Sequence, residues 1–331
     1  MERGKLQGRI MDRSIFQILQ KNSKGMYTLE TGLGYQLIPL SRDQRLAVTV
    51  NQIEGTLQQA GILTVPRALN SLLITGANPI GILLSVTLPE DEEEKQLRAM
   101  MREIETVCQE EEIEILGGDT RVSSHVSAVQ MSVTALGFLE GAEENLPQKA
   151  HAGQDIVMTK WAGLSGSWLL EQTVQEAFQK RYPKEFSQTI ENYQSQFSVR
   201  PELAEAWSKG ERALFDLSNG GVYGGLWEMA SAGNVGLRVD LKKIPIRQET
   251  VELCNYVDVN PYQIASMGSL LIASDQGEHL VSHLAQRGIA AQVIGCFCEG
   301  PDRVIENGDE RGYLYPPKGD VIPGKLHTNR S

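Results

Sequence analysis

Ile115-Leu-Gly-Gly-Asp-Thr-Arg121 sets two glycines, a carboxylate and a hydroxyl directly after a short apolar run, Ile113, Ile115 and Leu116. Glycine lets a backbone approach a ligand closely or take a positive φ. Free N–H groups beside such glycines can hold phosphate, and an Asp just past a strand end can hold Mg2+. Asp216-Leu-Ser-Asn-Gly-Gly221 repeats the combination ahead of a predicted helix, whose first N–H groups would add donors. Read alone, each segment is equally a tight turn with a helix cap, Ser218 or Asn219 capping and the glycines turning the chain. His125 lies just past the first segment, either as a phosphate contact or as a plain loop residue.

The elements that must position these groups alternate along the chain. Short helices are expected over 14–19, 57–75, 91–111, 167–180, 248–256 and 278–287, with a polar helical region over 185–209. Leu97, Met100, Met101, Ile104, Val107 and Cys108 carry the helical spacing most clearly. Strands are expected over 46–50, ending at Asn51, over 113–116, and over 155–159, 237–241, 269–273 and 291–297. Residues 81–88 are almost continuously apolar, which predicts a strand buried on both faces. Val129, Met131, Val133 and Ala135 alternate with polar residues, which predicts one core-facing side. The pattern loosens over 141–153, so two domains are expected, 1–150 and 151–331.

With 331 residues, 41% hydrophobic and 22% charged, the chain has the composition of a globular protein, long for one core. A net charge of −11 argues against a nucleic-acid partner, which needs a basic stripe. No apolar run reaches the ~20 residues of a membrane span. Met1-Glu-Arg-Gly-Lys5 lacks the apolar core of a signal peptide, and a cytoplasmic location is expected. Four cysteines make no disulfide framework. Cys296-Phe-Cys298 has one spacer residue instead of two, and reads as a pair of buried strand cysteines on one face. His151, His279, His283 and His327 read as surface residues, and Cys108 as a core residue.

The matched stretches, in order, resemble the superfamily of aminoimidazole-ribonucleotide (AIR) synthetase, thiamine-monophosphate kinase, selenophosphate synthetase and the hydrogenase maturation factor that dehydrates a carbamoyl group. Gly4-Lys-Leu and Ser14-Ile-Phe resemble the start of the maturation-factor branch. Thr75-Gly-Ala-Asn-Pro79 with Leu83-Leu-Ser-Val-Thr-Leu-Pro89, Leu116-Gly-Gly-Asp-Thr120, and Ser132-Val-Thr-Ala-Leu-Gly137 follow in family order. So do Asp155-Ile-Val-Met-Thr159, Gly163-Leu-Ser-Gly166, Asp216-Leu-Ser-Asn-Gly-Gly221, and Asn260-Pro-Tyr-Gln-Ile-Ala265 with Gly268. The resemblance spans nearly the whole chain and implies an α/β, two-domain AIR-synthase-like fold. It implies an N-terminal mixed sheet forming a barrel in a homodimer, plus a C-terminal α/β domain. It also implies ATP and Mg2+ as cofactors and a small-molecule substrate. Asp119 would hold metal and act in catalysis; Gly117, Gly118 and Thr120 would shape a phosphate loop; Asn51, Asn70, Asp216, Ser218, Asn219, Gly220 and Gly221 would complete the nucleotide site.

Departures from the family are specific. Where the family carries acidic residues, this chain has Gln36, Asn51, Ser71 after Asn70, and Asn219 after Ser218. Asp43 and Glu54 lie near enough to substitute. An amide oxygen ligates Mg2+ but brings no charge, so each missing carboxylate costs on the order of several kcal/mol before screening. The terminal Cys of the maturation factor and the N-terminal Cys of the selenophosphate branch have no counterpart here. Two functions are therefore expected to compete. One is an ATP-dependent enzyme performing phosphoryl transfer or dehydration with a depleted Mg2+ site. The other is a noncatalytic nucleotide- or ligand-binding relative acting through partner docking.

Overall fold

Apolar residues at every second position make one face of a strand apolar and the other wet, and that alternation builds the N-terminal sheet. The computed structural model describes residues 34–41, 43–141 and 146–316, with Ile10, Ser14 and Ile15. The rest of the helix expected over 14–19, the Gly4-Lys-Leu match, the turn at Gly25 and Gly32, and Pro317, Pro323 and His327 lie outside the described residues. The chain divides into two units, the first spanning Gly34–Leu146 and the second beginning at Pro147.

In the first unit, β1 (Tyr35–Pro39), β2 (Gln44–Gly55), β3 (Asn78–Leu88), β4 (Glu114–Val122) and β5 (Val129–Glu140) form a mixed sheet in the order β1-β2-β5-β3-β4. Only β3 and β4 run parallel. The helix α1 (Leu57–Leu73) starts with a capping box, Thr56 accepting from the Gln59 amide while Gln59 Oε1 accepts from the Thr56 amide. Its buried Leu63, Leu69 and Leu72 cover the sheet face that carries Ala47, Ile53, Val133 and Ala135. The amphipathic α2 (Glu94–Glu110) buries Met100, Ile104 and Cys108.

Three expectations change here. The strand expected to stop at Asn51 continues to Gly55, so Asn51 is mid-strand. β3 is buried on one face only: Leu83 and Ser85 are exposed, and among the described residues no helix of this unit covers their side. Leu116-Gly-Gly-Asp-Thr120 is not a loop past a strand end but part of the edge strand β4. A Cβ on Gly118 would stand 1.8 Å from the Leu84 carbonyl oxygen, so glycine there permits strand pairing instead of a turn.

In the second unit, β6 (Asp155–Thr159), β7 (Ala213–Asp216), β8 (Gly236–Asp240), β9 (Leu270–Ser274), β10 (Ala291–Cys298), β11 (Arg303–Asn307) and β12 (Glu310–Tyr313) form a seven-stranded sheet, order β12-β11-β8-β10-β6-β9-β7. The hairpin of β11 and β12 has no counterpart in the sequence reading. Among the described residues six α-helices accompany the sheet: α3 (Leu164–Gln179), α4 (Lys184–Glu191), α5 (Arg200–Ser208), α6 (Gly221–Gly233), α7 (Gln248–Val257) and α8 (Gly277–Gln286). Leu226, Met229 and Ala230 of α6 pack on Ile156, Met158, Val239 and Phe297 of the sheet. His283 is not a surface residue: its Nε2 lies 2.6 Å from Glu205 Oε2, linking α8 to α5.

Glu171 on α3 is buried, and its Oε1 meets no hydrogen-bond partner. Burial raises its carboxyl above the ordinary 4.5, against the lowering influence of Ser187 and Gln175. The folded state therefore holds this proton to higher pH than the unfolded chain does. Stability from this group is full below 4.5 and falls as pH rises through the folded value. Glu171→Gln is expected to raise stability at neutral pH and flatten the profile above 4.5, as read by urea unfolding at several pH values.

Candidate functional site

Strand register decides which of the predicted site residues share a face. Asn51 pairs with Val133, which pairs with Leu84, which pairs with Gly118. One position on, Gln52, Ser132, Ser85 and Asp119 form the next row. Successive side chains point to opposite faces. Asn51 therefore faces α1, and Asp119 stands on the other, open face.

Beneath α1, Asn51 is 8% exposed, and its Nδ2 has no acceptor. Thr49, two residues earlier on the same face, donates from Oγ1 to the Ala68 carbonyl at 3.4 Å. Asn70 and Ser71 are buried on α1 itself. These polar groups enter an otherwise apolar interface, where an unmet donor costs about 1–3 kcal/mol unless something accepts from it.

On the open face, the Gln52–Ser132–Ser85–Asp119 row lies beside Glu54, Gln130, Thr87 and Arg121. The Asp119 side chain is 59% exposed, and its Oδ2 accepts from Arg121 at 2.5 Å. Gly117 and Thr120 are exposed neighbours on β4, and His125 lies exposed beyond its end. Glu54 stands with this row, not with Asn51. Further along the same face, Leu46 pairs with Phe138 and Val48 with Leu136, all half-buried; Gln36 of β1 pairs with Val48. One end of the face is thus polar and the other apolar.

In the second unit three glycine-bearing loops are stitched together. Gly163 N–H donates to Ser266 Oγ at 2.7 Å, and Gly166 N–H to the Ala265 carbonyl at 2.8 Å. Ser266 N–H donates to the Leu217 carbonyl, and Leu217 N–H to Ser269. Within the central loop, buried Asp216 accepts from Ser218 Oγ at 2.8 Å. Neither Ser218 nor Asn219 caps the helix; the cap position is Gly220, with φ 68° and no side-chain cap bond. Gly221 follows at φ 60°, and a Cβ there would stand 2.4 Å from the Ile264 carbonyl oxygen. Tyr223 N–H donates to the Tyr262 carbonyl, and their rings stack at 5.5 Å.

Sequence reasoning missed Lys160, which directly follows β6 with φ 51°. Its Nζ donates to the Gln196 and Ser198 carbonyls at 3.0 and 2.7 Å and pairs with Glu202 at 3.0 Å. Burial lowers its pKa below 10.5, and Glu202 opposes that shift. A lysine after an apolar strand gives no sequence signal of burial, so only the fold reveals it.

The structure thus places Asn51 under α1 with Asn70 and Ser71 on α1 itself, Gly117 to Thr120 on the edge strand, and Asp216 to Gly221 in the second unit. Among the described residues no three His, Cys, Asp or Glu side chains converge as a metal site. Asn51 offers a buried donor, and Arg121 already occupies Asp119. Asn51 and Asp119 stand on opposite faces and form no common set: the Asn51 amide suits a phosphate oxygen, while Asp119 is a single anionic ligand where a divalent cation prefers several.

Residues 36–139 match the model of the AIR synthase related protein N-terminal domain, and residues 151–306 that of its C-terminal domain. A provisionally named hydrogenase expression/formation protein of Methanocaldococcus jannaschii is 25% identical over 332 residues, covering 96% of each chain. The fold matches that of the Escherichia coli hydrogenase maturation protein HypE with TM-score 0.72 and 18% identity, over 95% of this chain and 99% of that one. A structure of HypE in complex with ATP aligns with TM-score 0.64 and 18% identity, over 93% of both chains. The two-domain AIR-synthase-like α/β fold is therefore that of this chain.

Proposed function

The chain belongs to the AIR synthase related protein family, and from that membership we propose that it binds ATP and acts on a small substrate by phosphoryl transfer or dehydration, through a metal site poor in carboxylates. The observation that carries this reading is the Asp216–Gly221 turn, with two left-handed glycines at the head of α6 and a carboxylate held by Ser218. A glycine turn at a positive helix end suits a phosphate, although the Tyr223 N–H there already donates to the Tyr262 carbonyl. The ATP-bound HypE relative supports the choice of nucleotide. Gly117, Gly118 and Thr120 of the edge strand are assigned to phosphate contact, Asn51 and Asn70 to the nucleotide, and Asp119 to metal and catalysis. Residues 1–150 and 151–331 are taken as the two domains, and a cytoplasmic homodimer without nucleic-acid or membrane partners as the working assembly. Its contact would use the apolar end of the open sheet face, around Val48, Leu136 and Phe138.

A second reading, noncatalytic ligand binding, draws support from one feature. Asp119 stands across the sheet from Asn51 and is paired with Arg121. Titration calorimetry with ATP, with and without Mg2+, separates the two. Binding tightened by Mg2+ and followed by ADP release fits the enzyme; binding indifferent to Mg2+, without ADP, fits the second reading. Asp119→Asn is expected to abolish Mg2+-dependent hydrolysis yet shift unfolding by less than about 1 kcal/mol, since an exposed ion pair contributes little. Unchanged turnover removes Asp119 from the site.

A further inference from the structure

Cys296 and Cys298 are not fully buried as the sequence led us to expect; both are half-buried on one face of β10, with their sulfurs 3.8 Å apart. Cys108 and Cys254 differ from them: both are buried, and burial pushes their thiols up to about 11 and about 12. A thiol is a nucleophile only as thiolate, so those two are inert. Burial, the adjacent Cys298 and the Asp155 carboxylate on β6 raise Cys296 as well, and only the Arg238 guanidinium on β8 works against them. β10 lies between β8 and β6, and its pairing with β6 shifts register between Val293 and Gly295, just ahead of the pair.

We propose that Cys296 and Cys298 form a redox modification site, a dithiol that closes reversibly to an intrachain disulfide by exchange with a low-molecular-weight disulfide. One protein thiolate attacks the small disulfide, forming a mixed disulfide and expelling one small thiol. The second protein sulfur attacks the first, the S–S bond to the adduct breaks, and a second small thiol leaves. Two cysteine thiols are oxidised and one small disulfide is reduced to two thiols, with the cysteine protons passing to the leaving sulfurs.

Closure strains the strand. Alternate Cα atoms of an extended strand stand roughly 6.4–6.8 Å apart, at the upper edge of what a disulfide spans. Drawing them together bends the chain at Phe297. That residue's ring is in the core, its N–H donates to the Gln154 carbonyl at 2.8 Å, and its carbonyl accepts from Gly153 at 2.9 Å. A strained disulfide is readily reduced, which is the property of a regulatory bond.

The test treats the full chain with oxidised glutathione under native conditions, blocks remaining thiols, and maps the tryptic peptide that runs from Gly288 to Arg303 and holds both cysteines. The expected product is that peptide lacking two hydrogens, unalkylated, and restored by dithiothreitol, with Cys108 and Cys254 unmodified. Cys296→Ser and Cys298→Ser are each expected to stop at a stable glutathione adduct on the remaining sulfur. The oxidised protein is expected to melt several degrees below the reduced one. Two separate adducts on the wild-type peptide, no reaction at either sulfur, or a Tm raised by oxidation would each overturn the proposal.

Discussion

Gly221→Ala is expected to destabilise the protein by about 2–5 kcal/mol, the sum of a left-handed backbone penalty and a clash that only backbone movement relieves. The conformational part follows from φ 60°. The steric part follows from the Ile264 and Tyr262 carbonyl oxygens, 2.4 and 2.7 Å from the added Cβ. Neither oxygen is the end of a flexible side chain, so the loop carrying them must shift. That loop also holds Ser266, which ties the Gly163 and Leu217 segments together. The turn at Asp216 is therefore expected to lose its geometry with its stability, and ATP binding to fall in parallel. Gly210→Ala is the control: φ is 84° there, but nothing lies within 4 Å of the new Cβ. It is expected to cost only about 1–2 kcal/mol. Equal urea midpoints for the two variants would show that the close approach at Gly221 does not exist in solution.

Lys160→Met is expected to cost about 3–5 kcal/mol, because it leaves a buried carboxylate without its cation. The Glu202 side chain is 2% exposed, and its Oε2 already lacks a partner. Replacing both partners, Lys160→Met with Glu202→Leu, removes the buried charge and is expected to recover most of the loss. Urea unfolding of the two single variants and the double variant closes the cycle. A single-variant loss below about 1 kcal/mol, typical of exposed pairs, would contradict the burial of this pair.

The same pair marks a boundary of what the sequence could tell. Periodicity identifies β5 and α2, because an amphipathic element writes its own face into the spacing of its residues. It misjudges β3, because an apolar run records hydrophobicity but not whether a second layer covers it; the exposed Leu83 is the result. The hairpin of β11 and β12 escapes because short strands with exposed residues leave little pattern.

The sequence by itself determined the two-part α/β family architecture and the chemical types available: glycines where chains approach closely, amides in place of carboxylates, and two thiols one residue apart. Those properties are local, carried by residue identity and near-neighbour spacing. Only the tertiary structure decided that Leu116 to Thr120 is an edge strand, that Asn51 and Asp119 face opposite ways, and that Lys160 is buried against Glu202. Face and burial depend on which strand lies alongside and which helix lies above. Shifting a register by one residue exchanges the two faces of a strand without changing a letter of the sequence.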